Sequence, residues 1–136
     1  MSTPDALTLD AIRDQGYTLT GTELGSGSFG SVQLATRKRN DETATTCAVK
    51  VINLTSLSAA MLHKDLPHEL LSLMQVDHRN IVSIFDIISS AKDVYIFMEY
   101  ASGGDMGNYA KNNYISEPEA KHLFSQVSKA VDHLHQ

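Results

Sequence analysis

The sequence Gly25-Ser26-Gly27-Ser28-Phe29-Gly30-Ser31-Val32 sets three glycines in a GxGxxG pattern, with a valine two positions after the last of them. Because glycine lacks a Cβ, such a segment turns tightly, approaches a ligand closely and presents backbone N–H groups to phosphate oxygens. Several kinds of nucleotide-binding loop share this pattern, and so do glycine-rich hairpins that bind no ligand. The residues on either side therefore decide which kind of loop this is.

The segments around the loop have the character of β-strands. Residues 17–24 are rich in strand formers, and after the loop Val32, Leu34 and Thr36 alternate with polar or small residues. A dinucleotide-binding loop leads instead into a helix, and a Walker A loop has lysine directly after its last glycine, where this chain has Ser31. The remaining interpretation is a glycine loop that joins two antiparallel strands. That loop either covers phosphates or binds no ligand.

A lysine stands in the next apolar strand, which the sequence predicts over residues 45–52. Side chains alternate between the two faces of a strand, so Ala48 and Lys50 project from one face and Cys47 and Val49 from the other. A lysine in such a strand is rarely buried without a partner, although one near a strand end can extend to solvent. The glycine loop upstream favours a phosphate-facing role for Lys50.

A helical stretch over residues 58–75 offers a carboxylate partner for this lysine. Its apolar residues recur at helical spacing: Leu66, Leu70, Leu73 and Met74. Pro67 lies inside the pattern and would kink the helix or delay its start. Glu69 is then either a solvated helix carboxylate or the group that holds Lys50 beside nucleotide phosphates.

Composition limits the class of protein. The 136 residues, with 42% hydrophobic and 20% charged residues, suit one globular domain with a modest core. A net charge of −5 argues against nucleic acid as the main partner, and the longest apolar runs are too short to span a bilayer. The chain begins without the pattern of a secretory signal, and its single cysteine, Cys47, predicts a buried thiol. We therefore expect a cytoplasmic protein, with the nucleus as the alternative.

The six histidines do not indicate a metal site. His63 and His68 are five residues apart, and His133 and His135 are two apart, so neither spacing brings two rings to one helical face. There is also no pair of cysteines to join them. The sequence predicts no metal ligands.

In order and spacing, these motifs resemble the N-terminal lobe of a eukaryotic serine/threonine protein kinase, from about Tyr17 to the C-terminus. The resemblance rests on the glycine loop, on Ala48-Val49-Lys50, on Glu69, and on three later segments at residues 78–82, 94–101 and 103–106. Residues 66–69 and 120–124 are most similar to the calmodulin-kinase-related group, and within it to the testis-specific kinases.

The resemblance implies an α+β fold. A five-stranded antiparallel sheet with one regulatory helix would form the N-lobe and hinge over residues 17–101, after a flexible tail of residues 1–16 with at most one short helical turn. Residues 102–136 would form the first two helices of an incomplete C-lobe.

The resemblance also implies an ATP site. Leu24, Val32 and Ala48 would cover the adenine, and Met98 would form the back wall of its pocket. Backbone groups of the hinge residues Glu99 and Ala101 would bind the adenine edge. Asp105, a carboxylate after the hinge, would bind the ribose or a basic substrate side chain. The loop would cover the phosphates with Gly25, Ser26, Gly27, Ser28, Phe29 and Gly30. Lys50 would hold two of those phosphates, paired with Glu69.

The last helix has a clear start and a wide apolar stripe. Ser116 and Glu119 form a capping box, and the stripe includes Leu123, Phe124, Val127 and Val131. Each such side chain contributes roughly 1.5–3 kcal/mol when fully buried, so the stripe requires a cover. In a complete kinase the rest of the C-lobe would supply it. Without that lobe we expect self-association, chaperone binding, or disorder of the residues after Asp105.

Three functions stay open at this point. The family's catalytic loop and its Asp-Phe-Gly metal ligand do not occur in these 136 residues. Magnesium, expected for the family, therefore has no protein ligands here, and we predict a chain that is inactive by itself. The first possibility is the ATP-binding portion of a serine/threonine kinase, which would transfer the γ-phosphoryl group to protein. The second is a truncated pseudokinase-like module that binds nucleotide or a partner. The third is an interaction protein with an empty pocket.

Overall fold

The computed structural model describes residues 4–27, 30–40, 42–54, 72, 74–104 and 106–135. Its helices and strands, in chain order, are α1 (Ala6–Asp14), β1 (Tyr17–Gly27), β2 (Gly30–Arg37), β3 (Thr45–Asn53), β4 (Ile84–Ser89), β5 (Asp93–Glu99), α2 (Met106–Asn112) and α3 (Glu117–Leu134). The predicted regulatory helix falls mostly outside the described residues. The chain divides into two compact units. One consists of residues 1–75 and 84–100, and the other of residues 76–83 and 101–136.

The first unit is built on one sheet of five strands in the order β1-β2-β3-β5-β4, and all neighbouring strands are antiparallel. This confirms the predicted five-stranded antiparallel sheet. The strands form because apolar and β-branched residues alternate along them, most clearly in β3 and β5.

The register of the sheet separates the side chains into two faces. Val32 lies opposite Lys50, and Ala48 lies opposite both Leu34 and Met98. Directly opposed residues project from the same side of a sheet, so these side chains share one face, which we call the lysine face. The other face, which we call the helix face, carries the core residues Ala35, Cys47, Val49, Val51, Tyr95 and Phe97.

Helix α1 packs on the helix face. Its nine residues exceed the single turn that the sequence predicts within a flexible tail. The Asp5 carboxylate caps the helix by accepting a hydrogen bond from the Thr8 backbone N–H at 2.8 Å, and this bond lowers the pKa of Asp5. Ile12 is completely buried in the same cluster as Tyr17 and Phe97. Burial of this isoleucine on the sheet, together with the cap, explains the longer helix.

Tyr17 connects the two edges of the sheet across the helix face. Its ring stacks on that of Phe97, with centroids 4.0 Å apart, and its hydroxyl donates a hydrogen bond to Asp86 in β4. The Arg39 guanidinium contacts the same carboxylate at 3.0 Å. Burial raises the pKa of the Tyr17 hydroxyl, which therefore stays protonated and keeps donating. Cys47 is also buried, as predicted, and burial raises the pKa of its thiol.

The second unit contains α2 and α3. Ser116 Oγ accepts a hydrogen bond from the Glu119 backbone N–H at 3.3 Å, which confirms the predicted cap of α3. The Tyr109 hydroxyl of α2 donates to the Glu119 carboxylate at 2.9 Å and so joins the two helices. The His78 ring lies against that of His133, with centroids 4.9 Å apart. Within the described part of the chain, no helix has the length and apolar character needed to cross a membrane.

We predict that Ile12→Ala destabilises the protein by about 2–4 kcal/mol, because it removes a completely buried side chain from the cluster under α1. Urea unfolding monitored by circular dichroism measures the change. Leu7→Ala, on the same helix at an 84% exposed position, is the control and should cost less than about 0.5 kcal/mol. Equal effects of the two substitutions would contradict the packing of α1 on the sheet.

Candidate functional site

The glycine loop joins β1 to β2. Gly25 lies opposite Val32, and Gly27 lies opposite Gly30, so the loop closes an antiparallel hairpin as the sequence predicts. Ser28 and Phe29 lie outside the described residues. A shift in the register between Glu23 and Gly25 shows a β-bulge directly before the loop. Such a bulge increases the local twist of a strand.

Gly30 is required by its position. Its φ is +151°, a backbone conformation that favours glycine, and a Cβ built on it would overlap the carbonyl oxygen of Val51. The start of β2 thereby lies directly against β3. Gly25 differs, because nothing lies within 4 Å of a Cβ added there. Of these two glycines, only Gly30 is needed for packing, so Gly25 is a candidate for contact with a ligand.

Lys50 is exposed, whereas the residues around it in β3 are buried: Cys47, Ala48, Val49 and Val51. The exposed position lets the ammonium group keep its hydration, so its charge requires no buried partner. The predicted partner, Glu69, lies outside the described residues, and the Lys50–Glu69 pairing stays a prediction. Val32 and Ile96 lie opposite Lys50 on the two neighbouring strands.

The lysine face places the candidate adenine contacts next to Lys50. Ala48 is 5% exposed, and Met98, on the adjacent strand, is half-buried against the cluster of Val94 and Ile96. Glu99 is exposed at the end of β5. The lysine face is thus an apolar surface of small and flexible side chains next to the ammonium group of Lys50. Such a surface suits a ligand with a flat apolar part and an anionic part.

The other residues predicted to contact adenine or ribose are Leu24, Ala101 and Asp105. Leu24 in β1 is 42% exposed. Ala101 is exposed and belongs to the second unit, and Asp105 lies outside the described residues. One residue of the lysine face was missed in the sequence analysis: Ile96, which is opposite Lys50 and 5% exposed. The alternation of Val94, Ile96 and Met98 along β5 is the signal that would have identified it.

No metal centre is evident in the part of the chain that the structure describes. There, no group of three or more His, Cys, Asp or Glu side chains lies close enough together to hold a metal ion. No side chain in these ranges is therefore assigned as a metal ligand, and no chemical step is assigned to a metal.

Comparison with known proteins gives consistent matches. The family model of the protein kinase domain matches residues 18–136. The chain is 34% identical over 116 residues to CBL-interacting protein kinase 11 from Oryza sativa subsp. japonica, covering 85% of this chain and 22% of that protein. It is also similar to the crystal structure of Rad53 1-466 in complex with AMP-PNP, with a TM-score of 0.76 and 23% identity over 90% of this chain and 31% of that chain. The chain thus spans about a fifth of the length of the curated relative.

We predict that Gly30→Ala destabilises the protein by about 1–3 kcal/mol or more, because the added methyl group overlaps the Val51 carbonyl and the backbone is strained. Gly25→Ala is the matched control, with open space for the same methyl group and an expected change below about 1 kcal/mol. Chemical unfolding of both variants measures the difference. A Gly30→Ala protein as stable as the Gly25→Ala protein would contradict the close contact between β2 and β3.

Proposed function

Because this chain belongs to the protein kinase family, we propose that its first compact unit binds ATP, with the glycine loop over the phosphates and Lys50 beside them. The observation that carries the proposal is the β2–β3 register, which sets Val32 directly opposite Lys50. One residue, Ser31, separates Val32 from Gly30 at the base of the loop. The backbone N–H groups of the loop and the ammonium group are thus provided by adjacent strands.

The chemistry of phosphate binding follows from these two elements. Lysine is a compact cation on a flexible four-carbon chain, and it suits oxygens whose position varies as the loop closes. Backbone N–H groups of a glycine-rich turn add hydrogen bonds that need no side chain. We propose that Glu69 fixes the ammonium group from the other side, as the family resemblance implies.

Adenine would lie against the apolar part of the lysine face. Val32 and Ala48 provide flat contact area, and Met98 lies opposite Ala48 on β5. We propose that Leu24 completes this contact, that backbone groups of Glu99 and Ala101 bind the adenine edge, and that Asp105 binds the ribose. Met98 is flexible, so a residue of different size there would change which purine analogues fit.

The transfer reaction belongs to a complete kinase domain. There, we propose, the γ-phosphoryl group passes to serine or threonine hydroxyls of protein substrates. Phosphoryl transfer depends on positioning and on metal-assisted stabilisation of charge, and the groups that supply the base and hold magnesium are not among these 136 residues. Alone, the chain would hold ATP without turnover, as a pseudokinase-like module. We propose a calmodulin-kinase-related, testis-specific type of kinase and a cytoplasmic location.

A second candidate function is binding of a partner through α3. The apolar stripe of this helix is exposed: Phe124 at 72%, Val127 at 56% and Val131 at 45%. We propose that these side chains, with Leu123, contact the rest of the C-lobe in a complete kinase. In this chain they would drive self-association or bind a chaperone.

We predict that ATP raises the thermal midpoint of the protein and that Lys50→Met weakens ATP binding about tenfold, a loss of about 1.4 kcal/mol. Isothermal titration with ATP measures the affinity. Lys92→Met, which removes the same charge at an exposed position between β4 and β5, should bind ATP like the unmodified protein. If ATP causes no stabilisation in any variant, the alternative of an interaction protein with an empty pocket is favoured.

We also predict that the protein forms concentration-dependent oligomers and that Phe124→Gln shifts them towards the monomer, because it removes the most exposed apolar side chain of the stripe. Sedimentation velocity measures the distribution. Lys129→Gln, at an exposed position on the opposite side of α3, should leave the distribution unchanged. A monomer at all concentrations would count against self-association.

A further inference from the structure

A polar cavity of about 260 Å³ lies where β2 ends and β3 begins, at the opposite end of β2 from the glycine loop. Its lining residues are Arg37, Arg39, Glu42 and Thr45. At about 3.3 Å per residue, Arg37 is roughly 23 Å along the strand from Gly30. The cavity belongs wholly to the first unit, and none of its residues takes part in the proposed ATP site.

Arg37 is held in place without an anionic partner. Its guanidinium group lies over the ring of Phe85, 4.3 Å from the centroid. Its Nε–H is buried and has no acceptor, and it forms no ion pair with any residue that the structure describes. Native proteins rarely leave such a donor unsatisfied, so the Arg37 guanidinium keeps hydrogen-bonding capacity that no described residue fills.

Arg39 is oriented by the opposite edge of the sheet. Its guanidinium contacts the Asp86 carboxylate at 3.0 Å, and the Tyr17 hydroxyl donates to the same carboxylate. The charge of Asp86 is therefore engaged by two donors. The Arg39 side chain is 44% exposed, and a guanidinium group has five N–H donors, so donors remain beyond the one that contacts Asp86.

The donors in the cavity suit a tetrahedral anion. The lining residues Arg37, Arg39 and Thr45 carry two guanidinium groups and a hydroxyl, whose present bond to the Arg37 carbonyl oxygen is long at 3.4 Å. Glu42 is the one carboxylate in the lining, so the lining residues sum to +1, and Asp86, which pairs with Arg39 from outside the lining, offsets one further positive charge. A carboxylate ligand offers two oxygens, whereas a phosphate monoester offers three terminal oxygens to three separate donor groups.

We propose that this cavity binds a phosphate dianion, with Arg37 and Arg39 as the principal donors. The ligand is either a phosphorylated side chain or free phosphate, which share the same recognition chemistry. The Arg37 guanidinium, already stacked on Phe85, provides a preorganised planar set of donors for the phosphate oxygens.

Nuclear magnetic resonance of the arginine Nε–H groups tests this site directly. The full chain, carrying Lys50→Met to suppress phosphate binding at the ATP site, is titrated with inorganic phosphate at pH 7.5 and constant ionic strength. Parallel titrations use acetyl-Gly-phosphoserine-Gly-amide and its unphosphorylated form. We expect saturable shifts of the Arg37 and Arg39 Nε–H signals with both phosphate compounds and none with the unphosphorylated peptide.

Matched variants separate a built site from general attraction to positive charge. Arg37→Gln should weaken phosphate binding about tenfold, whereas Lys38→Gln, which removes one charge from the adjacent residue outside this cavity, should change it less than about twofold. Glu42→Gln should tighten binding about threefold, because it removes the opposing carboxylate. This variant tests the site even if Arg37→Gln fails to fold.

The outcomes distinguish the proposal from its alternatives. Tighter binding of the phosphopeptide identifies a phosphorylated side chain as the ligand, and equal binding identifies free phosphate; both support the site. The proposal is overturned if neither compound shifts the arginine signals, if Lys38→Gln weakens binding as much as Arg37→Gln, or if Glu42→Gln leaves it unchanged. None of these results depends on ATP binding.

Discussion

The pairing of β2 with β3 is the constraint on which the candidate site depends. Side chains alternate along a strand, so a slip of one residue would move Lys50 from the lysine face to the helix face. Two features hold the register. Gly30 lies against the Val51 carbonyl, and the helix face buries Ala35 with Cys47, which lies directly opposite. The position of the Lys50 ammonium group thus depends in part on contacts on the helix face.

The same coupling extends to β5. Phe97 and Met98 are consecutive residues, and they project from opposite faces. Phe97 stacks on Tyr17 in the core under α1, while Met98 lies opposite Ala48 on the lysine face. Helix α1 and the contact of Tyr17 with Asp86 therefore stabilise the strand that carries a candidate adenine contact. A rigid support of this kind is what a binding surface made of short side chains requires.

Local patterns in the sequence were sufficient to predict much of this structure. The strand alternation around the glycine loop predicts the hairpin, the alternation around Lys50 predicts β3 and the face of its lysine, and Ser116 with Glu119 predicts the start of α3. These features depend on neighbours close in the chain. Glu69 and Asp105 lie outside the described residues, and their roles remain predictions.

Features that depend on distant residues could not be predicted. The length of α1 follows from burial of Ile12 against a sheet that forms much later in the chain, and Tyr17 is separated from Asp86 by 69 residues. Nothing in the local sequence identifies such partners. The cavity lined by Arg37 and Arg39 could not be predicted for the same reason. From the local sequence alone, Arg37-Lys38-Arg39 indicates a solvated basic turn, and only the fold brings Phe85 and Asp86 into contact with its two arginines.

The β2–β3 register in solution is the property whose measurement tests the candidate site most directly. Isotope-edited nuclear Overhauser spectra of the full chain report which backbone protons of β2 and β3 lie opposite one another. We predict cross-strand contacts that pair Val32 with Lys50 and Leu34 with Ala48. Contacts that pair Val32 with Val49 or Val51 instead would place Lys50 on the wrong face of the sheet and contradict the proposed site.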